Sequence, residues 1–105
     1  MEPYSVVFTP EAEEHLVALY QYIREETSAE VARRYASALI EHCEKLDLFP
    51  HRGVARDDIR PGLRITHHQR RTVIAYAIDG NQISILGFFH GGRDYESALK
   101  PESDD

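Results

Sequence analysis

The hydrophobic period of this chain changes once, and the change limits the folds that it can adopt. Between Pro10 and Leu46 apolar residues recur every three or four positions, which is typical of one face of an amphipathic helix. From Gly62 onward the spacing becomes two, which is the period of a β-strand. The first part is therefore predicted to be helical, and the second part is predicted to form a sheet.

Capping signals divide the helical part into two helices. Residues 9–11 (TPE) combine a capping side chain, a proline suited to the first helical position and an acidic residue at the positive end of the helix dipole. They predict a helix from there to about Glu26. Residues 27–30 (TSAE) match a capping box, which predicts that Thr27 caps a second helix ended by Pro50. The short connection favours an antiparallel hairpin.

Runs of β-branched and aromatic residues predict a strand at Tyr4–Thr9 and three more within 63–66, 72–78 and 83–89. A DGN turn joins the last two strands, and residues 51–61 form a loop. The predicted fold is α+β: an N-terminal strand, an antiparallel two-helix hairpin, then a three-stranded antiparallel meander, with the hairpin on one face of the sheet. The residues expected between helices and sheet are Leu16, Leu19, Ile23, Tyr35, Leu39, Leu46, Ile74, Tyr76, Ile85 and Phe89.

The chain length bounds the domain organisation. A chain of 105 residues has room for one core, so we expect one domain over residues 1–100 and a disordered acidic tail over 101–105. No apolar run approaches the length of a membrane span, and no secretory signal is recognisable. The single cysteine, Cys43, excludes an intrachain disulfide and suits a reducing compartment. We therefore expect a cytoplasmic protein without membrane contact.

Charge is distributed unevenly along the chain. Residues 1–48 carry ten Asp or Glu and four Lys or Arg, a net charge of −6. Residues 49–100 carry five acidic and eight basic residues, a net charge of +3, and seven of those eight are Arg. Because Arg suits bidentate recognition of phosphate and carboxylate, a site for a polyanion or an acidic peptide is expected in the second half. Two ordinary solvated faces are the alternative interpretation.

No pattern for a metal, a cofactor or a nucleophile stands out. His67 and His68 are adjacent, so strand geometry places them on opposite faces, and no zinc-ligand spacing is present. Cys43 is interpreted as a small buried hydrophobe rather than a catalytic thiol. The Gly91-Gly92 pair lacks the lysine of a phosphate-binding loop. We therefore expect neither a metal site nor a cofactor.

Basic residues are predicted to gather at one end of the sheet. In a meander the end of the fourth strand neighbours the start of the third, which brings Arg70 and Arg71 close to His90 and Arg93, with Tyr95 nearby. Such a group could cleave RNA, with His or Tyr moving protons and Arg stabilising the phosphorane. It could equally bind a carboxylate-rich partner. In a third interpretation, Arg93 and the aspartate that follows it hold the chain end through a local ion pair.

Four segments, read in order after a strand and a helical hairpin, resemble the ParE toxins of the RelE/ParE superfamily. They are residues 50–53 (PHRG), 60–64 (RPGLR), 73–78 (VIAYAI) and 85–94 (ILGFFHGGRD). The similarity covers about residues 4–99. The PGLR entry to the sheet and the HGGRD exit from it are its most specific parts.

The resemblance implies the toxin half of a bacterial type II toxin–antitoxin module, of the kind associated with plasmid stabilisation. ParE-type members poison DNA gyrase and are not nucleases, so we expect a target-binding inhibitor rather than an enzyme. RelE-type members cut messenger RNA on the ribosome and are strongly basic, whereas this chain has a net charge of −6 and only Lys45 and Lys100 as lysines. Two alternatives stay open: an endoribonuclease using His90, Arg93 and Tyr95, and a non-toxic module that only binds its antitoxin.

The resemblance also implies a ParD-like antitoxin and a toxin–antitoxin hetero-oligomer that contacts DNA only through the antitoxin. An acidic, amphipathic segment of that partner is expected to lie in a groove beside the helical hairpin, with a basic rim around it. Leu48 and Phe89 are further candidates for exposed apolar residues, and about half of the aromatic candidates are expected to belong to the core instead. The residues expected to contact the antitoxin or the target are Arg64, Arg70, Arg71, His90, Arg93, Tyr20, Tyr22, Phe49 and Phe88.

Overall fold

A computed structural model describes residues 3–101, and it contains the elements that the two hydrophobic periods predict. The α+β class, the initial strand, the helical hairpin and the meander are confirmed. From residue 102 on, the predicted acidic tail lies outside the described residues. None of the described helices combines the length and hydrophobicity needed to span a bilayer. The elements are β1 (Ser5–Phe8), α1 (Pro10–Glu26), α2 (Ala29–Glu44), a 3-10 turn (Lys45–Asp47), β2 (Val54–Ala55), β3 (Leu63–His68), β4 (Thr72–Asp79), β5 (Gln82–His90) and α3 (Tyr95–Leu99).

The strands form one mixed sheet in the order β1-β5-β4-β3-β2. β1 lies at an edge and runs parallel to β5, whereas the other neighbours are antiparallel. The four-stranded prediction missed β2, which lies inside the predicted 51–61 loop and pairs Val54 with Ile65. Two residues are too few to show an alternating pattern, so the sequence held no signal for this strand.

The start of α1 is as predicted, but the predicted capping box is wrong. The hydroxyl of Ser28, not of Thr27, caps α2 by accepting the Val31 N–H at 3.1 Å. Thr27 instead ends α1, and its hydroxyl donates to the Ile23 carbonyl at 2.7 Å. Glu30 pairs along the exposed helix with an arginine one turn later. The TSAE pattern therefore contains two caps, one for each helix.

Both faces of the sheet are covered, each by its own apolar cluster. The helical hairpin packs on one face, over a cluster that includes Leu39, Leu46, Tyr76 and Ile85. The loop before β3 and the short α3 cover the other face, where Ile59 and Leu99 join side chains of β3 and β4. Of the predicted core, Leu16 and Tyr35 are only partly buried at the rim of the first cluster, and Phe89 lies in the second cluster.

A β-bulge explains the position of Phe89. Tyr76 of β4 pairs with Ile85, but the preceding Ala75 pairs with Gly87, so Leu86 has no partner in β4. The extra residue reverses the faces for the rest of β5. Phe88 therefore faces the helices, and Phe89 faces α3.

The turn between β3 and β4 is strained. Gln69 and Arg70 both have positive φ, 53° and 60°, although neither is glycine. The left-handed conformation costs a residue with a side chain about 1 kcal/mol or more.

We expect R70G to raise the free energy of unfolding by about 1 kcal/mol in urea denaturation, because glycine adopts this conformation without that cost. The matched control is G80A in the β4–β5 turn, where φ is 62° and a Cβ meets nothing within 4 Å; it should lower stability by a similar amount. A loss of stability in R70G would contradict the assignment of strain.

Candidate functional site

Two of the predicted basic residues lie beside the end of β5. Thr72 pairs with His90, and the Gly91 N–H donates to the Arg71 carbonyl at 2.9 Å. Arg71 and the neighbouring Arg70 are exposed. The meander thus brings these arginines to His90, as its topology predicts. Their contact with an antitoxin or target stays a prediction.

Arg64 lies elsewhere and is engaged with this chain. It pairs with Tyr76 in the middle of the sheet, and its Nη2 donates to the carbonyl oxygens of His51 and Gly53 at 2.9 and 2.7 Å. Its Nε is buried without a partner among the described residues. The guanidinium therefore holds the segment before β2, and its predicted contact with an antitoxin stays a prediction.

The predicted aromatic contacts divide by exposure. Tyr22 and Phe49 are 53% and 67% exposed, and Leu48 beside Phe49 is exposed as well. Tyr20 is partly buried against the helix-side cluster. The expected exposure of Phe88 and Phe89 is wrong, since both are buried. The reason is that helices cover one face of β5 and α3 covers the other.

A histidine cluster, His42, His68 and His90 with Tyr35 and Thr72, lies between the hairpin and the sheet, and sequence reasoning missed it. The Tyr35 hydroxyl is 2.5 Å from Thr72 Oγ1, which is 2.8 Å from His90 Nδ1. The Nδ1 atoms of His42 and His68 are 3.0 Å apart. The helical position of His42 and the strand alternation that buries His68 were the available signals. Among residues 3–101, no three His, Cys, Asp or Glu side chains are grouped to hold a metal ion.

Burial lowers the pKa of each imidazole in the histidine cluster. For His42, burial is the main cause, and the His68 imidazole and two nearby cations lower the pKa further. For His68, burial is the cause. For His90 the positive charge of Arg71 adds to the effect of burial. The cluster is therefore neutral at pH 7. Burial also raises the pKa of the Cys43 thiol to about 12, which agrees with its interpretation as an inert buried side chain.

Of the three residues of the endoribonuclease alternative, His90 and Arg93 line one cavity, but Tyr95 lies apart from them. His90 lies on the helix side of the sheet, with its ring edge-on to those of Tyr22 and Tyr35. Tyr95 packs against the opposite cluster beside Phe89. A general acid and a general base must both reach the same phosphate. Because the sheet separates the His90 and Tyr95 side chains, no phosphate can lie within reach of both.

Arg56, which sequence reasoning also missed, holds Tyr95 in place. Its Nη1 donates to the Tyr95 hydroxyl at 2.9 Å, and its Nε and Nη2 each donate to the Asp58 carboxylate at 3.0 Å. The hydrogen bond from Arg56 holds the pKa of Asp58 below its usual range. This arginine therefore ties α3 to the loop before β3.

The predicted ion pair of Arg93 with Asp94 is wrong. The Asp94 carboxylate accepts the Ser97 N–H at 3.2 Å and the Ser97 hydroxyl at 2.7 Å, which caps α3 and lowers the pKa of Asp94. Helix capping thus competes successfully for this carboxylate. Within the described residues, Arg93 makes no ion pair.

A cavity of about 370 Å³ opens between α1 and the end of β5. Four residues of the predicted site line it: Tyr22, Phe88, His90 and Arg93. The helix contributes His15, Ala18 and Leu19, and no acidic side chain takes part. We call this cavity, together with the β5 edge beside it, the α1–β5 groove. It joins an apolar wall to polar side chains, as ligand-binding clefts do.

Comparisons with known proteins agree with the fold. The family model for the ParE toxin of the type II toxin–antitoxin system parDE matches residues 6–95. A chain from the chromosomal ParDE system of P. aeruginosa is similar, with a TM-score of 0.73 and 22% identity over 84% of this chain and 96% of that one. A chain of the toxin–antitoxin complex RelBE2 from Mycobacterium tuberculosis has a TM-score of 0.62 and 23% identity, over 85% of this chain and 99% of that one. No curated protein matches this sequence.

The histidine cluster predicts that stability decreases in mild acid. Each lowered pKa means that the unfolded chain, with His pKa values near 6.5, binds protons that the folded chain resists. The free energy of unfolding should therefore be highest above pH 6.5 and fall as the pH drops from 7.5 to 5.5. H42Q should weaken this dependence, whereas H67Q, on an exposed histidine of β3, should keep it. Equal unfolding midpoints for wild type at pH 7.5 and 5.5 would contradict the assignment.

Proposed function

Because this chain belongs to the ParE toxins of type II toxin–antitoxin systems, we propose that it inhibits a target by binding it and that a ParD-like antitoxin neutralises it. DNA gyrase is the proposed target, the cytoplasm the proposed compartment, and plasmid stabilisation a proposed role. The observation that carries binding over RNA cleavage is the separation of His90 from Tyr95 by the sheet.

Further properties of the surface support a binding mechanism. Two of the three residues of the endoribonuclease alternative already have partners in this chain, since Arg56 donates to the Tyr95 hydroxyl and Thr72 is hydrogen-bonded to His90. A net charge of −6 opposes binding to the phosphate-rich surface of a ribosome. Exposed Tyr22, Phe49 and Arg71 resemble the aromatic and arginine residues that dominate binding energy in protein interfaces.

An antitoxin partner is supported by the similar structures, which come from a ParDE system and from a RelBE2 complex. The RelBE2 likeness also keeps ribosome-dependent cleavage of messenger RNA as the second candidate function. A non-toxic module that only binds an antitoxin would neither inhibit gyrase nor cleave messenger RNA on the ribosome.

The two candidate functions are separated by assays with purified protein. We expect the wild type to inhibit supercoiling by gyrase and to leave messenger RNA on translating ribosomes intact, because Tyr95 lies on the opposite face of the sheet from His90. H90A should produce no change in messenger RNA integrity, and circular dichroism would check that it folds. H67A is the matched control, since His67 is exposed on the opposite face of the sheet.

Cleavage of ribosome-bound messenger RNA that H90A loses by about 10²-fold or more, and that H67A retains, would make the chain an endoribonuclease. A wild type that leaves both gyrase and ribosomes unaffected would favour the non-toxic module.

A further inference from the structure

The segment between the 3-10 turn and β2 exposes large apolar side chains to solvent. Leu48 and Phe49 are 68% and 67% exposed, and Val54 at the start of β2 is 67% exposed. Single exposed hydrophobic residues are common on protein surfaces and need no explanation. Three of them within one short stretch of chain make this segment a candidate interaction surface.

The backbone of this segment is closed into a turn. The Arg52 N–H donates to the Phe49 carbonyl at 3.1 Å, and Pro50 occupies the second position of the turn, where its fixed φ is favoured. The Leu48 N–H donates to the carbonyl at the start of the 3-10 turn, also at 3.1 Å. We call residues 48–52 the anchored turn.

Two side chains of the sheet hold the anchored turn from the inside. The hydroxyl of Tyr76, a fully buried residue, donates to the Pro50 carbonyl at 2.8 Å and accepts the Gly53 N–H at 3.0 Å. Arg64 Nη2 donates to the carbonyls of His51 and Gly53. A Cβ on Gly53 would lie 2.7 Å from the Tyr76 hydroxyl, so glycine is needed for this approach. Because the turn is already ordered, a partner that binds it loses little conformational entropy.

The charges beside the anchored turn favour a protein over a nucleic acid. Arg52 is exposed and makes no ion pair in the part of the chain that the structure describes, so a carboxylate of a partner can pair with it. Asp47 is exposed next to Leu48, and the nearby Lys45 is paired with Glu41 at 3.4 Å. Binding to nucleic acid depends on several cations that contact phosphates, and an exposed carboxylate opposes it.

A second copy of this chain fits the surface less well than a different protein does. Stable interfaces bury about 800 Å² on each partner, whereas the anchored turn and β2 together offer three exposed large apolar side chains. A symmetric contact places the same patch on both subunits, so it would bring two copies of Arg52 together. The small apolar centre with one cation beside it fits a pocket that has a carboxylate at its rim.

We propose that the anchored turn is the surface through which the toxin binds its protein target. Phe49 enters an apolar pocket of the target, and Arg52 pairs with a carboxylate at the rim of that pocket. Tyr76 and Arg64 are positioning residues, because they act through the backbone of the turn. The α1–β5 groove is lined by α1 and by residues 88–93, so it is a separate surface. The inference rests on the proposed function, which requires a protein target.

The first test compares F49S with V17S, which removes an exposed apolar side chain from α1. We expect half-inhibition of gyrase supercoiling to need at least about 30-fold more F49S than wild type, as for the loss of a central aromatic contact. V17S should inhibit like the wild type. R52Q should need about 10-fold more protein, whereas R33Q, the same change on the exposed face of α2, should not. F49S should bind the antitoxin encoded beside the toxin gene with wild-type affinity, which also shows that it folds.

Y76F tests the anchoring separately from the contact. The ring stays in the core, but the hydroxyl that holds Pro50 and Gly53 is lost. The Gly53 amide should exchange about 10-fold faster, and inhibition of gyrase should weaken although Phe49 is unchanged. An unchanged exchange rate, or full inhibition in spite of faster exchange, would contradict the positioning role.

Failure of the inference differs from failure of the proposed function. If wild type and F49S inhibit gyrase equally, the surface assignment is wrong although the function stands. If wild type leaves gyrase active but arrests growth on induction, and F49S loses this effect while V17S keeps it, gyrase is wrong and the surface assignment stands. If F49S instead loses affinity for the antitoxin, for DNA or for a second copy of the chain, the turn serves that partner and the inference is overturned. A wild type that arrests no growth overturns both.

Discussion

One extra residue in β5 decides what the end of this protein's sheet presents to each side. Without the bulge at Leu86, Phe89 would face the helical hairpin, and His90 would face α3 and Tyr95. With the bulge, His90 bonds to Thr72 under the hairpin, while Phe89 packs beside Tyr95. The side chains of His90 and Tyr95 are therefore on opposite faces. The same reversal directs the Phe88 N–H to His15 and creates the α1–β5 groove.

The histidine cluster, in which only the His68 imidazole is fully buried, depends in part on this arrangement, because the bulge turns His90 toward it. Three imidazoles, a tyrosine and a threonine occupy positions between hairpin and sheet where apolar side chains are more usual. Hydrogen bonds satisfy one nitrogen of each imidazole, but the Nε2 atoms of His42 and His68 are buried without partners among the described residues. Such groups cost stability when they protonate, so the interface between α2 and the sheet is sensitive to pH. The groove inherits this sensitivity, because His90 belongs to both features.

The sequence predicted the features that depend on periodicity and on single strong turn signals. The two helices, the meander and the approach of Arg71 to His90 follow from hydrophobic spacing and antiparallel topology. The bulge at Leu86 could not be predicted, because residues 83–89 are apolar on both faces and alternation within them is uninformative. The two-residue β2 was too short to leave a pattern. Two further predictions were wrong because another hydrogen bond competed with the predicted one. Thr27 caps the preceding helix, and Asp94 caps α3 instead of pairing with Arg93.

The sequence predicted which basic residues come close to His90, but it did not predict the hydrogen bonds that these and neighbouring side chains make. The basic residues were placed correctly near His90 at the sheet exit, whereas Phe88 is buried and Tyr95 lies on the opposite face, and a one-dimensional pattern does not say which arginine lacks a partner. Arg64 and Arg56 are engaged by carbonyls and carboxylates of this chain, whereas Arg93 makes no ion pair within residues 3–101. That difference separates residues that build the fold from a residue that can recognise a partner, and it leaves binding as the mechanism that the geometry supports.

The order in which cellular processes stop tests this mechanism most directly. Synthesis of the toxin without antitoxin would be induced in a bacterial culture, and incorporation of labelled thymidine and labelled amino acids would be followed in parallel from the first minutes. Inhibition of gyrase predicts that DNA synthesis stops first, while protein synthesis continues until replication has failed. An immediate stop in protein synthesis, with DNA synthesis declining only afterwards, would contradict the account.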